Sequence, residues 1–264
     1  MEVINAIFLG IIQGLTEFLP VSSSGHLELA KAVLGDTSVG AESLLMTVTL
    51  HFGTALATVA AFRREILQVL KGVFKFQRNP ESEFSVKILI SMVPATVAGL
   101  LLESQIEQLF NRQILLVGIC LLATGGLLLL ANRAKMSERG VSYQDAFWIG
   151  IAQAIAILPG ISRSGATISS AVLLGIDKEQ ATRFSFLMVV PLIFGKMAKD
   201  LLDGEIGGGT PHFPALLTGF VFAFVTGYFA CLWMVRIVKQ RRLNYFAFYC
   251  LFIGTIAAGY AIFA

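Results

Sequence analysis

The sequence predicts an all-α polytopic membrane protein, with six transmembrane helices plus two re-entrant helix hairpins in an inverted-topology repeat. Three observations carry this reading. Hydrophobic residues make up 56% of the 264-residue chain and charged residues only 14%, against roughly 45–50% and about 25% in soluble domains. Mean hydropathy is +0.76, and apolar runs near the ~20 residues that a membrane helix needs recur from end to end. Lys and Arg collect in alternate short loops, the pattern that orients membrane spans. The chain therefore reads as a single integral membrane domain, 1–264, with no removed signal at its start.

Taken in order, the first apolar segment, 3–34, is interrupted near its middle by Pro, Gly and Ser. Uninterrupted runs follow at 44–62, 86–102 and 113–131. A second interrupted segment, 144–175, precedes three further runs at 183–202, 213–236 and 245–263. The six clean runs are read as spans. Irregular backbone at membrane depth is tolerated only where protein buries it or where it lines a wet cavity, so the two interrupted segments read as re-entrant hairpins.

Charge assigns the sides. The loop 63–87 carries Arg63, Arg64, Lys71, Lys75, Arg78 and Lys87. The loop 132–142 carries Arg133, Lys135 and Arg139, and the loop 236–244 carries Arg236, Lys239, Arg241 and Arg242. These three are expected in the cytoplasm. Connections near 35–43, 103–112 and 203–212 are poor in Lys and Arg and hold Asp36, Glu42, Glu103, Glu107, Asp203 and Glu205, so they are expected outside. Six spans fit this alternation only if each interrupted segment returns to the side it came from. The first hairpin then reaches the midplane from outside and the second from inside.

The two hairpins also resemble each other. A shift of 140 residues places Gly10 on Gly150, Gln13 on Gln153, Ser22 on Ser162, Ser24 on Ser164 and Gly25 on Gly165. Pro20 and Pro159 fall one position out of register. The halves are approximately 1–131 and 144–264, each a hairpin plus three spans. Opposite orientation makes this an inverted-topology repeat, with a site expected where the broken helices meet.

The polar residues of the chain concentrate at those breaks. The first, QGLTEFLPVSSSGH (13–26), offers Gln13, Glu17, Ser22, Ser23, Ser24 and His26. Gln13 and Glu17 lie four apart and share a helix face. The second, PGISRSGAT (159–167), offers Ser162, Arg163, Ser164 and Thr167. The serines can each cap a returning helix, Gln13 can bridge helices, and His26 can sit as a core hydrogen-bonding group. Glu17 and Arg163 can form a structural ion pair. Against that, an ionised group at membrane depth costs several kcal/mol and marks a functional site by default. Two helix N-termini plus an Arg make an anion site. With a carboxylate, hydroxyls and an imidazole beside them, the set suits nucleophilic attack on phosphorus, the carboxylate handling a proton or a metal. A site inside the bilayer favours a lipid phosphate.

The net charge of +3, spread over short loops, argues against nucleic acid as a partner. Cys120, Cys231 and Cys250 lie in apolar runs without metal-ligand spacing and read as packing residues.

These two motifs carry a resemblance. QGLTEFLPVSSSGH resembles the first signature of the undecaprenyl-diphosphate phosphatases, the bacitracin-resistance membrane family, and PGISRSGATIS matches its second. Their order, their separation and the chain length agree. The resemblance implies hydrolysis of a C55 isoprenoid diphosphate to the monophosphate, recycling the lipid carrier for cell-wall synthesis. It also implies a divalent cation, Mg²⁺ or Ca²⁺, a bacterial inner-membrane location and an active site open to the extracytoplasmic side. Glu17 then becomes the essential carboxylate and a metal ligand, with Gln13 at a position that is often Glu, a departure that weakens any metal or proton role there. Ser22, Ser23 and His26 fill the hydroxyl and imidazole positions, and Ser162, Arg163 and Thr167 match the second motif. Catalytic roles are expected for Glu17, Ser23, His26 and Arg163, with the nucleophile open between Ser23 and His26, Ser23 favoured, and His26 or Glu17 as its base. Substrate contacts are expected from Gln13, Ser22, Ser24, Ser162, Ser164, Thr167 and His51. Homodimer formation is open. A transporter or flippase of phosphorylated lipid, with the same residues holding a headgroup and no hydrolysis, is the alternative reading.

Overall fold

The computed structural model describes residues 3–34, 41–102, 105, 113–135, 137–202, 212–240 and 242–263. Most of the acidic connections expected outside, including Asp36, Glu103, Glu107, Asp203 and Glu205, lie outside the described residues. The described residues form eleven helices: α1 (Val3–Phe18), α2 (Ser23–Val33), α3 (Ala41–Ala61), α4 (Arg63–Val73), α5 (Pro80–Leu101), α6 (Ile114–Arg133), α7 (Tyr143–Ile155), α8 (Arg163–Leu173), α9 (Lys178–Leu202), α10 (Phe213–Lys239) and α11 (Asn244–Phe263).

Five of them, α5, α6, α9, α10 and α11, are long and apolar enough to cross a membrane, and α3 with α4 makes a sixth if that bent pair counts as one span. Each helix of the two interrupted segments is shorter. At 13 residues α7 is about 20 Å long, well under a ~30 Å hydrocarbon core. Both segments break where the sequence places Pro, Gly and Ser.

One expected loop is not a loop. Residues 63–87 hold α4 and the first turns of α5. The helix α4 turns 79° away from α3. It exposes Leu67 and Leu70 alongside its arginines, the mixture of an interfacial helix rather than a solvated connection. α5 begins at Pro80 because Asn79 and Ser82 form a reciprocal capping box. The Asn79 side chain accepts from the Ser82 N–H at 2.8 Å and the Ser82 hydroxyl accepts from the Asn79 N–H at 3.0 Å.

Packing relies on close backbone approach. The helix α1 runs along α10, α7 along α5, and α6 along α11. A Cβ built on Gly10 would lie 2.6 Å from the Gly219 carbonyl oxygen, and one on Gly150 would lie 2.4 Å from that of Ser91. Small residues at such crossings let membrane helices touch. The three cysteines are free and buried, as expected of packing residues.

The second hairpin is closed at its base. The Arg139 guanidinium donates to both carboxylate oxygens of Asp145, at 2.7 and 3.1 Å, and to the Leu174 carbonyl at 2.5 Å. One side chain thus joins the start of α7 to the residue ending α8, so the segment leaves near where it entered. In the first hairpin, Ala6 and Leu9 of α1 share an apolar cluster with Leu27 and Ala30 of α2. The two breaks then face each other. Pro20 Cβ lies 3.3 Å from a Cβ built on Gly165, and Gly160 Cα lies 3.6 Å from one built on Gly25.

Candidate active site

Both returning helices start in the same way. The Ser162 hydroxyl accepts from the Gly165 N–H at 3.1 Å and lies 3.3 Å from the Ser164 hydroxyl. The Ser22 hydroxyl accepts from the Gly25 N–H at 3.4 Å and lies 3.4 Å from the Ser24 hydroxyl. All four serines are therefore engaged at helix starts. That geometry places Ser23 at the first position of α2 and Arg163 at the first position of α8, with both side chains beside the end of α1.

Glu17 is the hub. Its Oε2 accepts from Gln13 Nε2 at 3.0 Å, one turn back on α1, and from the Ser23 hydroxyl at 2.8 Å. Its Oε1 accepts from the Arg163 guanidinium. The Nε2 atom of His51, on α3, lies 3.8 Å from Glu17 Oε2. The Glu17 side chain is 7% exposed and that of Arg163 16%, so this charge pair sits inside protein. Four elements, α1, α2, α3 and α8, converge on one carboxylate.

Two polar atoms in the cluster have no hydrogen-bond partner among the described residues: Gln13 Oε1 and Arg163 Nη1, both buried. A buried donor on a guanidinium at a helix N-terminus can receive a phosphate oxygen. The amide oxygen beside a carboxylate offers the hard oxygen donors that Mg²⁺ or Ca²⁺ takes. Among the described residues no three His, Cys, Asp or Glu side chains are placed to hold a metal ion together. A divalent ion held by Glu17 and Gln13 would complete its shell with substrate phosphate oxygens, as Mg²⁺ commonly does.

The remaining expected residues lie around this centre. The Thr167 hydroxyl donates to the Arg163 carbonyl at 2.9 Å and lies 2.6 Å from the Ser185 hydroxyl. Ser164 donates to the Leu19 carbonyl at 3.3 Å, tying the two breaks together. His26 has Nδ1 2.8 Å from the Ser22 carbonyl oxygen and Nε2 2.7 Å from the Tyr249 hydroxyl on α11. Its ring nitrogens thus meet Ser22 and Tyr249, whereas Ser23 meets Glu17.

Sequence reasoning passed over Tyr249, Ser185, Thr124 and Lys31. Thr124 accepts from the Ser162 N–H at 3.2 Å. Lys31 donates to the Ser43 and Thr47 hydroxyls at 3.0 and 3.1 Å. For Ser185, Thr124 and Lys31 the signal available was a single polar side chain within an apolar run, which at membrane depth requires a partner; Tyr249 carries no such signal.

A family model described as bacitracin resistance protein BacA matches residues 6–256. The chain belongs to the BacA family. It is 59% identical over 261 residues to the undecaprenyl-diphosphatase of Christiangramia forsetii, covering 99% of both chains. It is 44% identical over 260 residues to that of Bacteroides fragilis, covering 97% of both. It is 38% identical over 273 residues to the undecaprenyl-diphosphatase of Methanobrevibacter smithii, covering 97% of this chain and 96% of the other. Both motifs fall inside the matched region, so the Glu17 cluster sits within the BacA domain rather than in an appendage.

Proposed function

We propose that this BacA-family chain is a membrane phosphatase that converts undecaprenyl diphosphate to undecaprenyl phosphate and inorganic phosphate. The observation that carries the reading is the double use of Glu17. The Ser23 hydroxyl donates to one of its oxygens and Arg163 pairs with the other, while Arg163 Nη1 stays unpartnered. The names of the relatives supply the substrate.

The chemistry follows from those contacts. The terminal phosphate is held by Arg163 and by the N-termini of α2 and α8. Glu17 takes the Ser23 proton as Oγ attacks the terminal phosphorus. A new O–P bond forms at Ser23, and the bridging O–P bond breaks. Undecaprenyl phosphate leaves with those electrons. Glu17 gives that proton up to the departing undecaprenyl phosphate. Water then attacks the phosphoserine phosphorus, Glu17 takes the water proton and returns it to Ser23 Oγ as the Ser23 O–P bond breaks, and inorganic phosphate departs. A bound Mg²⁺ or Ca²⁺, held by Glu17 and Gln13, would neutralise charge on the diphosphate.

The finer topology belongs to this proposal. An inverted-topology repeat is supported by the matching cap geometry at Ser22–Gly25 and Ser162–Gly165 and by the facing breaks. A site open to the extracytoplasmic side of a bacterial inner membrane, serving lipid-carrier recycling and bacitracin resistance, is supported by the basic loops and by the family.

The test is phosphate release from undecaprenyl diphosphate by the purified protein in detergent. Release that is lost in Arg163→Ala supports the reading. A protein that binds the lipid and releases no phosphate would instead be a carrier of it.

A further inference from the structure

Tyr249 lies 223 positions from His26 and in neither motif, yet it holds that imidazole by edge and by face. The rings stack with centroids 5.6 Å apart and planes 18° from parallel. The edge contact has a direction. His26 Nδ1 lies 2.8 Å from the Ser22 carbonyl oxygen, and a carbonyl only accepts, so Nδ1 carries the hydrogen. In the neutral imidazole Nε2 is then the acceptor, and the Tyr249 hydroxyl, at 2.7 Å, donates to it.

The acceptor at the other end of the ring matters as much. Ser22 has φ +70°, a left-handed conformation that side-chain-bearing residues rarely adopt. Such a backbone persists where its surroundings over-determine it. The His26 ring bonds the Ser22 carbonyl, and Tyr249 fixes the ring. The next residue is Ser23, whose hydroxyl is aimed at Glu17. A continuous path therefore runs from Tyr249 on α11 through His26 and Ser22 to the hydroxyl beside the carboxylate.

We infer that Tyr249 is a positioning residue for the proposed phosphatase, an inference that rests on that reading for its kinetic consequence. It caps the basic nitrogen of His26, keeps the ring in the Nδ1–H tautomer, and thereby braces the turn that presents Ser23. In this arrangement His26 acts through the turn and not through direct attack.

Tyr249→Phe keeps the ring stack and deletes only the hydroxyl. In the full-length protein in detergent, kcat is expected to fall about tenfold, the rate equivalent of roughly one hydrogen bond, with KM changed by less than about twofold. The second readout needs no turnover. The chain has three histidines, His26, His51 and His212, so the ring-nitrogen NMR signals of His26 are identified by their loss in His26→Gln. The unsubstituted protein is expected to show His26 as a single Nδ1–H tautomer, and Tyr249→Phe a mixture. A His26 signal unchanged by the substitution overturns the proposal, even with kcat reduced, because the effect would then be helix packing. An Nε2–H or doubly protonated ring in the unsubstituted protein overturns it as well. If the unsubstituted protein releases no phosphate, the phosphatase reading fails while the tautomer result still decides the bracing role.

Discussion

Glu17 on α1 and Arg163 on α8 form an ion pair across 146 positions, joining the two hairpin breaks inside the protein. Removing one partner of a buried pair leaves an uncompensated charge and costs about 3–5 kcal/mol, whereas removing both is far milder. Glu17→Gln and Arg163→Met are each expected to lower the thermal midpoint in detergent. The double variant is expected to recover much of that stability. Phosphate release separates structure from chemistry: all three variants should lose about 100-fold or more, because the restored fold lacks both base and phosphate donor. Turnover that returned with the stability of the double variant would make the pair purely structural.

Ser23 and His26 are three residues apart and face different partners, Glu17 and Tyr249. Ser23→Ala is accordingly expected to reduce phosphate release by about 10³-fold without loss of lipid binding. His26→Gln should cost less, since its ring supports the turn. The opposite order, with Ser23→Ala fully active and His26→Gln inert, would move the nucleophile to the imidazole.

Much of this arrangement is legible in the sequence because charge and irregular backbone are costly at membrane depth. Glu17, Arg163 and the paired SSSG and SRSG turns stand out against apolar flanks, and the structure places them at facing breaks. The helix α4 is hidden because its arginines resemble a cytoplasmic loop; only the helical spacing of Ile66, Leu67 and Leu70 betrays it. Tyr249 was hidden for a different reason. Its partner is 223 positions away, and an aromatic in NYFAFYCLF is indistinguishable from a lipid-facing residue until α11 is placed against α2. The sequence leaves the serines open between capping and substrate contact; the structure has Ser22 and Ser162 as caps, and Ser23, which follows the left-handed turn at Ser22, meets Glu17.

The close crossing of α7 over α5 gives a packing prediction. A Cβ on Gly150 would meet the Ser91 carbonyl oxygen at 2.4 Å and its carbonyl carbon at 3.0 Å, whereas one on Gly126 meets nothing within 4 Å. Backbone cannot rotate away as a side chain can. Gly150→Ala is therefore expected to destabilise the protein by about 1–3 kcal/mol, and Gly126→Ala to be neutral or slightly stabilising through helix propensity. Thermal unfolding of the two variants in the same detergent checks this. Equal midpoints would mean that α5 and α7 do not approach so closely.

The clasp at the base of the second hairpin predicts a pH response. Burial pushes the Asp145 carboxyl up, but hydrogen bonds from Arg139 and from the Ser142 side chain and N–H outweigh it and hold the group below the usual carboxylate range. A carboxyl lowered on folding adds stability above its unfolded-state value, and that contribution is lost as pH falls through the lowered value. At neutral pH, Asp145→Asn is expected to cost about 1–2 kcal/mol, from a cap and a charge-assisted bond, moderated because the Arg139 side chain is 47% exposed. The gap in thermal midpoint between the original protein and Asp145→Asn should hold from neutral pH down to the ordinary carboxylate range. Below that range it should close as Asp145 is protonated and releases Arg139. A gap that stayed constant into strong acid would show that the Asp145 charge contributes nothing to closing the hairpin.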